Sequence, residues 1–96
     1  MRPNVIEIRH TDEPSTFDVV VREGKGETHH QVIMSAETCE RLTGGRYTPE
    51  QCLEAAFRFL LDREPKESIL SRFDVTVISR YFPEFERELP NYLGSA

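Results

Sequence analysis

Ninety-six residues, 38% hydrophobic and 30% charged, suffice for one core and one domain spanning 1–96, with a modest margin of stability. The net charge of −5 divides as −2 over residues 1–47 and −3 over 48–96, so neither half carries the basic excess that nonspecific grip on nucleic acid needs. No stretch approaches the roughly 20 apolar residues of a membrane helix, and MRPNVIEIRH lacks the apolar run of a signal peptide; the expected setting is the bacterial cytoplasm, away from membranes.

Val5 to His10 alternates weakly and predicts an edge strand or ordered arm, followed by a turn through Asp12 and Pro14. Phe17, Val19 and Val21 alternate with Asp18, Val20 and Arg22, the period of a half-buried strand. Gly24 and Gly26 turn the chain over Glu23 to Glu27 and lead to a second hairpin strand from Thr28 to Met34.

Helices are expected next. Ser35 caps a short one that begins at Ala36 and stops at Gly44. Thr48, Pro49 and Gln51 start another, with a capping hydroxyl, proline in the first turn and an amide three residues after the cap. That helix should run to about Glu64, ahead of Pro65. Its polar stripe is Glu50, Glu54, Arg58 and Asp62, while Cys52, Leu53, Ala55, Ala56, Phe57, Phe59, Leu60 and Leu61 form an arc too wide for one neighbour to cover. The helix is therefore central to the fold or shared across a dimer. Pro65 opens a third helical segment reaching Phe73, and Asp74 caps a fourth through Phe82. Val75, Thr76 and Val77 also suit a strand, but helix is preferred. The class is α+β: an N-terminal antiparallel hairpin of two or three strands, then three or four helices, with residues 1–34 mainly strands, 35–93 mainly helices and 94–96 a loose tail.

From Ser68 to Leu93 the sequence SILSRFDVTVISRYFPEFERELPNYL gathers aromatics and aliphatics around two prolines. Continued as a helix past Pro83, it sets Tyr81, Phe82, Phe85, Leu89, Tyr92 and Leu93 on one stripe. Pro83 demands a kink or a restart there. The stripe is core or a docking face. The candidate protein-docking residues are Tyr81, Phe82, Phe85 and Tyr92, and the partner they imply is an unidentified protein or a second copy of the chain.

Nothing in the pattern announces catalysis. His29 and His30 are adjacent, so on a strand they point to opposite faces and do not share a metal ion easily. Cys39 and Cys52 lack the short spacing of zinc ligands and read as reduced, buried thiols. Gly24-Lys25-Gly26 and Gly44-Gly45 lack the lysine and hydroxyl of a phosphate loop, and no GxSxG elbow is present. Glu84, Glu86 and Glu88 fan around a helix as a solvated face. The expectation is a non-enzymatic module without cofactor or metal.

Two resemblances add to this. HHQVIM, the helix AETCERL, a glycine turn and the helix starting TPEQCLEAAFRFLL, residues 28–63, resemble the ribbon-helix-helix repressors. That family pairs strands from two chains into a ribbon that reads the major groove. The likeness implies a dimeric DNA-binding regulator, with His29 and Gln31 at outward base-reading positions, Ile33 in the third place, and Thr48 at the phosphate contact. Ile33 has no hydrogen bond to offer a base, and no basic arm is present. The C-terminal half, FLLDREPKESIL followed by FDVTVISRYFPEFE, is similar to a family of small uncharacterised bacterial proteins and implies a fold kept as a unit.

Overall fold

The structure is a computed structural model that describes residues 4–93; the tail expected at 94–96 lies outside them. The hairpin forms more tightly than the sequence suggests. β2 (Thr16–Glu23) and β3 (Gly26–Ile33) are antiparallel, with Glu23 opposite Gly26 and only Gly24 and Lys25 between them. Gly24 takes φ 60°, which a side chain resists and which the primed hairpin turns require at their first position. β1 (Val5–His10) pairs antiparallel with the other side of β2, Ile8 opposite Val19.

A fourth strand completes the sheet where the sequence predicts helix. β4 (Arg72–Asp74) runs parallel to β3, pairing Val32 with Phe73, and the order is β1-β2-β3-β4. Three residues are too few to show a period. They are drawn into the sheet because Phe73 enters the core beside Phe57, with ring centroids 6.1 Å apart. The Gln31 amide meanwhile donates to the Ser71 carbonyl at 2.8 Å. The α+β class otherwise stands as predicted, strands first and helices after.

α1 (Ala36–Thr43) starts at Ser35, whose hydroxyl accepts from the Thr38 amide, and stops at Gly44 with φ 68°. α2 (Pro49–Leu61) begins in a complete capping box: Thr48 Oγ1 accepts from the Gln51 amide, and the Thr48 amide donates to Gln51 Oε1 at 2.8 Å. It ends three residues short of Glu64. The Arg63 and Glu64 amides both fold back on the Leu60 carbonyl at 2.9 Å, a closing turn forced on a chain whose next residue, Pro65, bars helix from Glu64. A 3-10 turn at Lys66–Ser68 follows. Its buried Lys66 ammonium bonds Glu67 at 2.7 Å and reaches Glu23 at 3.6 Å, fastening the turn to the hairpin.

After β4, Asp74 caps as predicted, its carboxylate accepting from the Thr76 amide. The first turn, Val75–Val77, is 3-10 and leads into α3 (Ile78–Tyr81). The helix breaks and restarts beyond Pro83, as the sequence requires, and does not continue through it. Phe82, held before proline, leaves helical space at φ −130°, ψ 87°, and α4 (Phe85–Glu88) starts anew, running into a 3-10 turn at Leu89–Asn91.

Burial along β2 alternates inward at Phe17, Val19 and Val21. These side chains, with Val32 and Met34, face Cys52, Leu53, Ala56, Phe57 and Leu60 of α2 in one continuous core. The wide arc of α2 is thus met by the sheet on one side and by Phe85 and Leu89 of the C-terminal segment on the other. The helices cover one face of the sheet, and the opposite face carries its polar residues to solvent.

Candidate functional site

The outward positions follow from strand parity. Glu7 and Arg9 of β1, Asp18, Val20 and Arg22 of β2, His29, Gln31 and Ile33 of β3, and Arg72 of β4 share the helix-free face. Register brings Val20 beside Glu7 and His29, and Asp18 beside Arg9 and Gln31. The surface between them is a shallow groove of about 550 Å³ lined by Glu7, Arg9, Asp18, Val20, Arg22 and His29, with Gln31 and Ser71 at its end.

A ladder of charge crosses three strands on this face. Glu7 Oε1 accepts from Arg22 Nη1, Arg22 Nε donates to Glu27 Oε1 at 3.2 Å, and Glu27 Oε2 holds His29 Nε2 at 2.7 Å. Arg9 Nη2 stands 3.9 Å from the second oxygen of Glu7. His29, then Arg22, keep the Glu27 carboxyl below the usual carboxylate range. Glu27 and then Glu7 raise the Arg22 guanidinium. Arg22 and Glu27 are the second cross-strand pair from the two-residue loop, so a hairpin centred on Gly24-Lys25 predicts their pairing. The link to Glu7 depends on β1 and had no local signal.

His30 points the other way. It is buried against Phe57, centroids 5.4 Å apart, its Nδ1–H donating to the Leu70 carbonyl at 2.8 Å and its Nε2 accepting from Thr28 Oγ1 at 2.8 Å. Both ring nitrogens are satisfied in the neutral form. Burial lowers its pKa, and the Leu70 carbonyl opposes that shift. The two histidines thus occupy opposite faces, as adjacent strand residues must.

The residues that the ribbon-helix-helix likeness singles out are divided. His29, Gln31 and Ile33 share the outer face, whereas Thr48 caps α2 in the helix layer behind the sheet. β3 lies between β2 and β4, hydrogen-bonded on both sides over Gln31–Ile33. No ribbon with a second chain can form through those residues in this fold.

The C-terminal aromatics converge on Phe59. Phe82, Phe85 and Tyr92 meet its ring edge-on at centroid distances of 5.8, 5.1 and 5.9 Å. Phe85 is 1% exposed and belongs to the core; Phe82 and Tyr92 are half-buried against it. Tyr81 alone of the four projects to solvent, at 68% exposure. The prolines and the break at Phe82 replace the single stripe by a folded-back layer.

Cys39 and Cys52 are free and buried, α1 against α2, and their thiols contact each other. Burial, followed by the neighbouring Cys39, pushes Cys52 up to about 12, and burial likewise raises Cys39. Among the described residues no group of three or more His, Cys, Asp or Glu is arranged to hold a metal ion. No protein-family profile matches the chain, and no curated protein or solved structure does so either.

Proposed function

We infer that the chain is a non-catalytic binding module that holds a protein partner against the helix-free face of its sheet. The observation that carries this reading is the groove over β1, β2 and β3, where opposite charges alternate around Val20. Arg22, Glu27 and His29 immobilise one another there, which reduces the side-chain entropy lost on binding. A face with both signs of charge and an apolar centre complements a protein surface. A polyanion would instead favour one sign. Reduced thiols at Cys39 and Cys52 suit a reducing bacterial cytoplasm as its setting.

A photo-crosslinking amino acid at Gln31, compared with the same probe at Glu40 on the exposed side of α1, tests the reading in the cells that make the protein. A defined adduct from position 31 alone is expected. Adducts from position 40 alone, or from neither, would overturn it. Tyr81, the exposed aromatic of the C-terminal segment, supports a second docking point, and a probe there distinguishes the two.

A further inference from the structure

The sheet has an outer strand, β1, whose far edge meets no other strand among the described residues. Such an edge presents backbone donors and acceptors in a row and is a template for another strand unless charge or proline blocks it. β1 carries neither proline nor a single-sign charge. Its outward side chains are Val5, Glu7 and Arg9, and its inward ones Ile6, Ile8 and His10.

We propose that two copies of this chain pair antiparallel through β1 about a two-fold axis at Ile8, making one eight-stranded sheet with all helices on one side. A two-fold normal to the sheet keeps faces matched, so only registers centred on a residue are allowed. Centred on Ile8, Glu7 of each copy faces Arg9 of the other, Ile8 meets Ile8, and Ile6 meets His10. Centred on Glu7, the carboxylates face each other. Centred on Arg9, the guanidiniums do. Like charges directly opposite repel and unlike ones attract, so the sequence Glu-Ile-Arg selects the Ile8 register. Glu7 has an oxygen suited to the role: Oε1 is taken by Arg22, while among the described residues Oε2 has only the loose 3.9 Å approach of its own Arg9. Ile6 and Ile8 are half-buried and packed on the core, and pairing would cover their remaining surface. The groove of one copy would then continue into that of the other across the axis.

Solution mass by light scattering over a micromolar to near-millimolar series tests this. The wild-type chain should rise from the 11.1 kDa of one copy toward twice that value. Arg9→Glu, shown folded by circular dichroism, should stay monomeric because the Glu7 carboxylate then faces a second carboxylate across the axis, while Arg9→Lys should still dimerise. Mixing Arg9→Glu chains with Glu7→Arg chains, each monomeric alone, should restore the dimer. Amide exchange in wild-type β1, slower at high than at low concentration, reports the same edge if Glu7→Arg fails to fold. A wild-type monomer throughout, or a dimer indifferent to Arg9→Glu, would overturn the proposal. Neither result bears on crosslinking at Gln31, so the dimer and the partner face stand or fall separately.

Discussion

The guanidinium of Arg63 lies 3.7 Å above the centre of the Phe59 ring, while the same side chain bonds Glu84 through Nε at 3.1 Å and reaches the Tyr92 hydroxyl. Tyr92 in turn donates to Asp62 Oδ2 at 2.5 Å. One fully buried ring and the cation above it therefore bind the end of α2 to the C-terminal segment. Truncating Phe59→Ala should cost about 3–5 kcal/mol, as large-to-small core changes do. The chain beyond Asp74 should become the first site of proteolysis. Urea unfolding with limited trypsin digestion checks both effects.

Phe57→Ala should cost a similar 3–5 kcal/mol, because that ring joins α2 to His30 and Phe73. Tyr81→Ala, at an exposed position, should shift the unfolding free energy by no more than about 0.5 kcal/mol. Phe85→Ala should resemble Phe57→Ala. Denaturant titration of the three variants would separate core aromatics from the outward one.

His30 is neutral in the fold and its pKa is lowered by burial from 6.5. The unfolded chain therefore binds the proton more readily. The stability from the neutral ring is present in full above about pH 6.5 and is lost as pH falls through the folded-state value. Stability should decline as pH falls below about 6.5, and His30→Gln should flatten that decline while lowering stability at neutral pH. Thermal or urea unfolding at several pH values would show the change in slope.

Gly44 ends α1 in the left-handed region, and a Cβ there would meet nothing within 4 Å. Gly44→Ala isolates backbone strain, with an expected cost of about 1–2 kcal/mol. Gly44→Asn should cost less, since asparagine tolerates that conformation. Calorimetry on the pair measures the difference.

Burial and a raised pKa protect the thiols of Cys39 and Cys52. Labelling by a thiol reagent at neutral pH should be slow in buffer, fast in urea, and accelerated in step with unfolding by Phe57→Ala. Rapid labelling of the folded chain would show that α1 lifts from α2.

The local signals translated directly into structure. Ser35, Gly44, Thr48, Pro49 and Asp74 act through neighbours within four residues, and each made its cap or stop as the sequence predicts. The alternation of Phe17, Val19 and Val21 likewise placed one face of β2 inward. The failures lie where distant groups decide. Arg72–Asp74 has no strand period and pairs because β3 offers an edge. The aromatic stripe of the C-terminal segment holds only for a helix continued past Pro83; the restart that Pro83 demands divides it, so Phe85 enters the core while Tyr81 faces outward.

The sequence by itself determined the class of fold, the hairpin, the two capped helices and the opposite orientations of His29 and His30, because periodicity, caps and glycine conformations act over a few residues. Only the tertiary structure decided that β3 is an interior strand, that Glu7 joins Arg22 and Glu27 on a helix-free face, and that Phe59 gathers the C-terminal aromatics. Those relationships join residues far apart in the chain, and which ones meet depends on the registers and packing that the whole core selects.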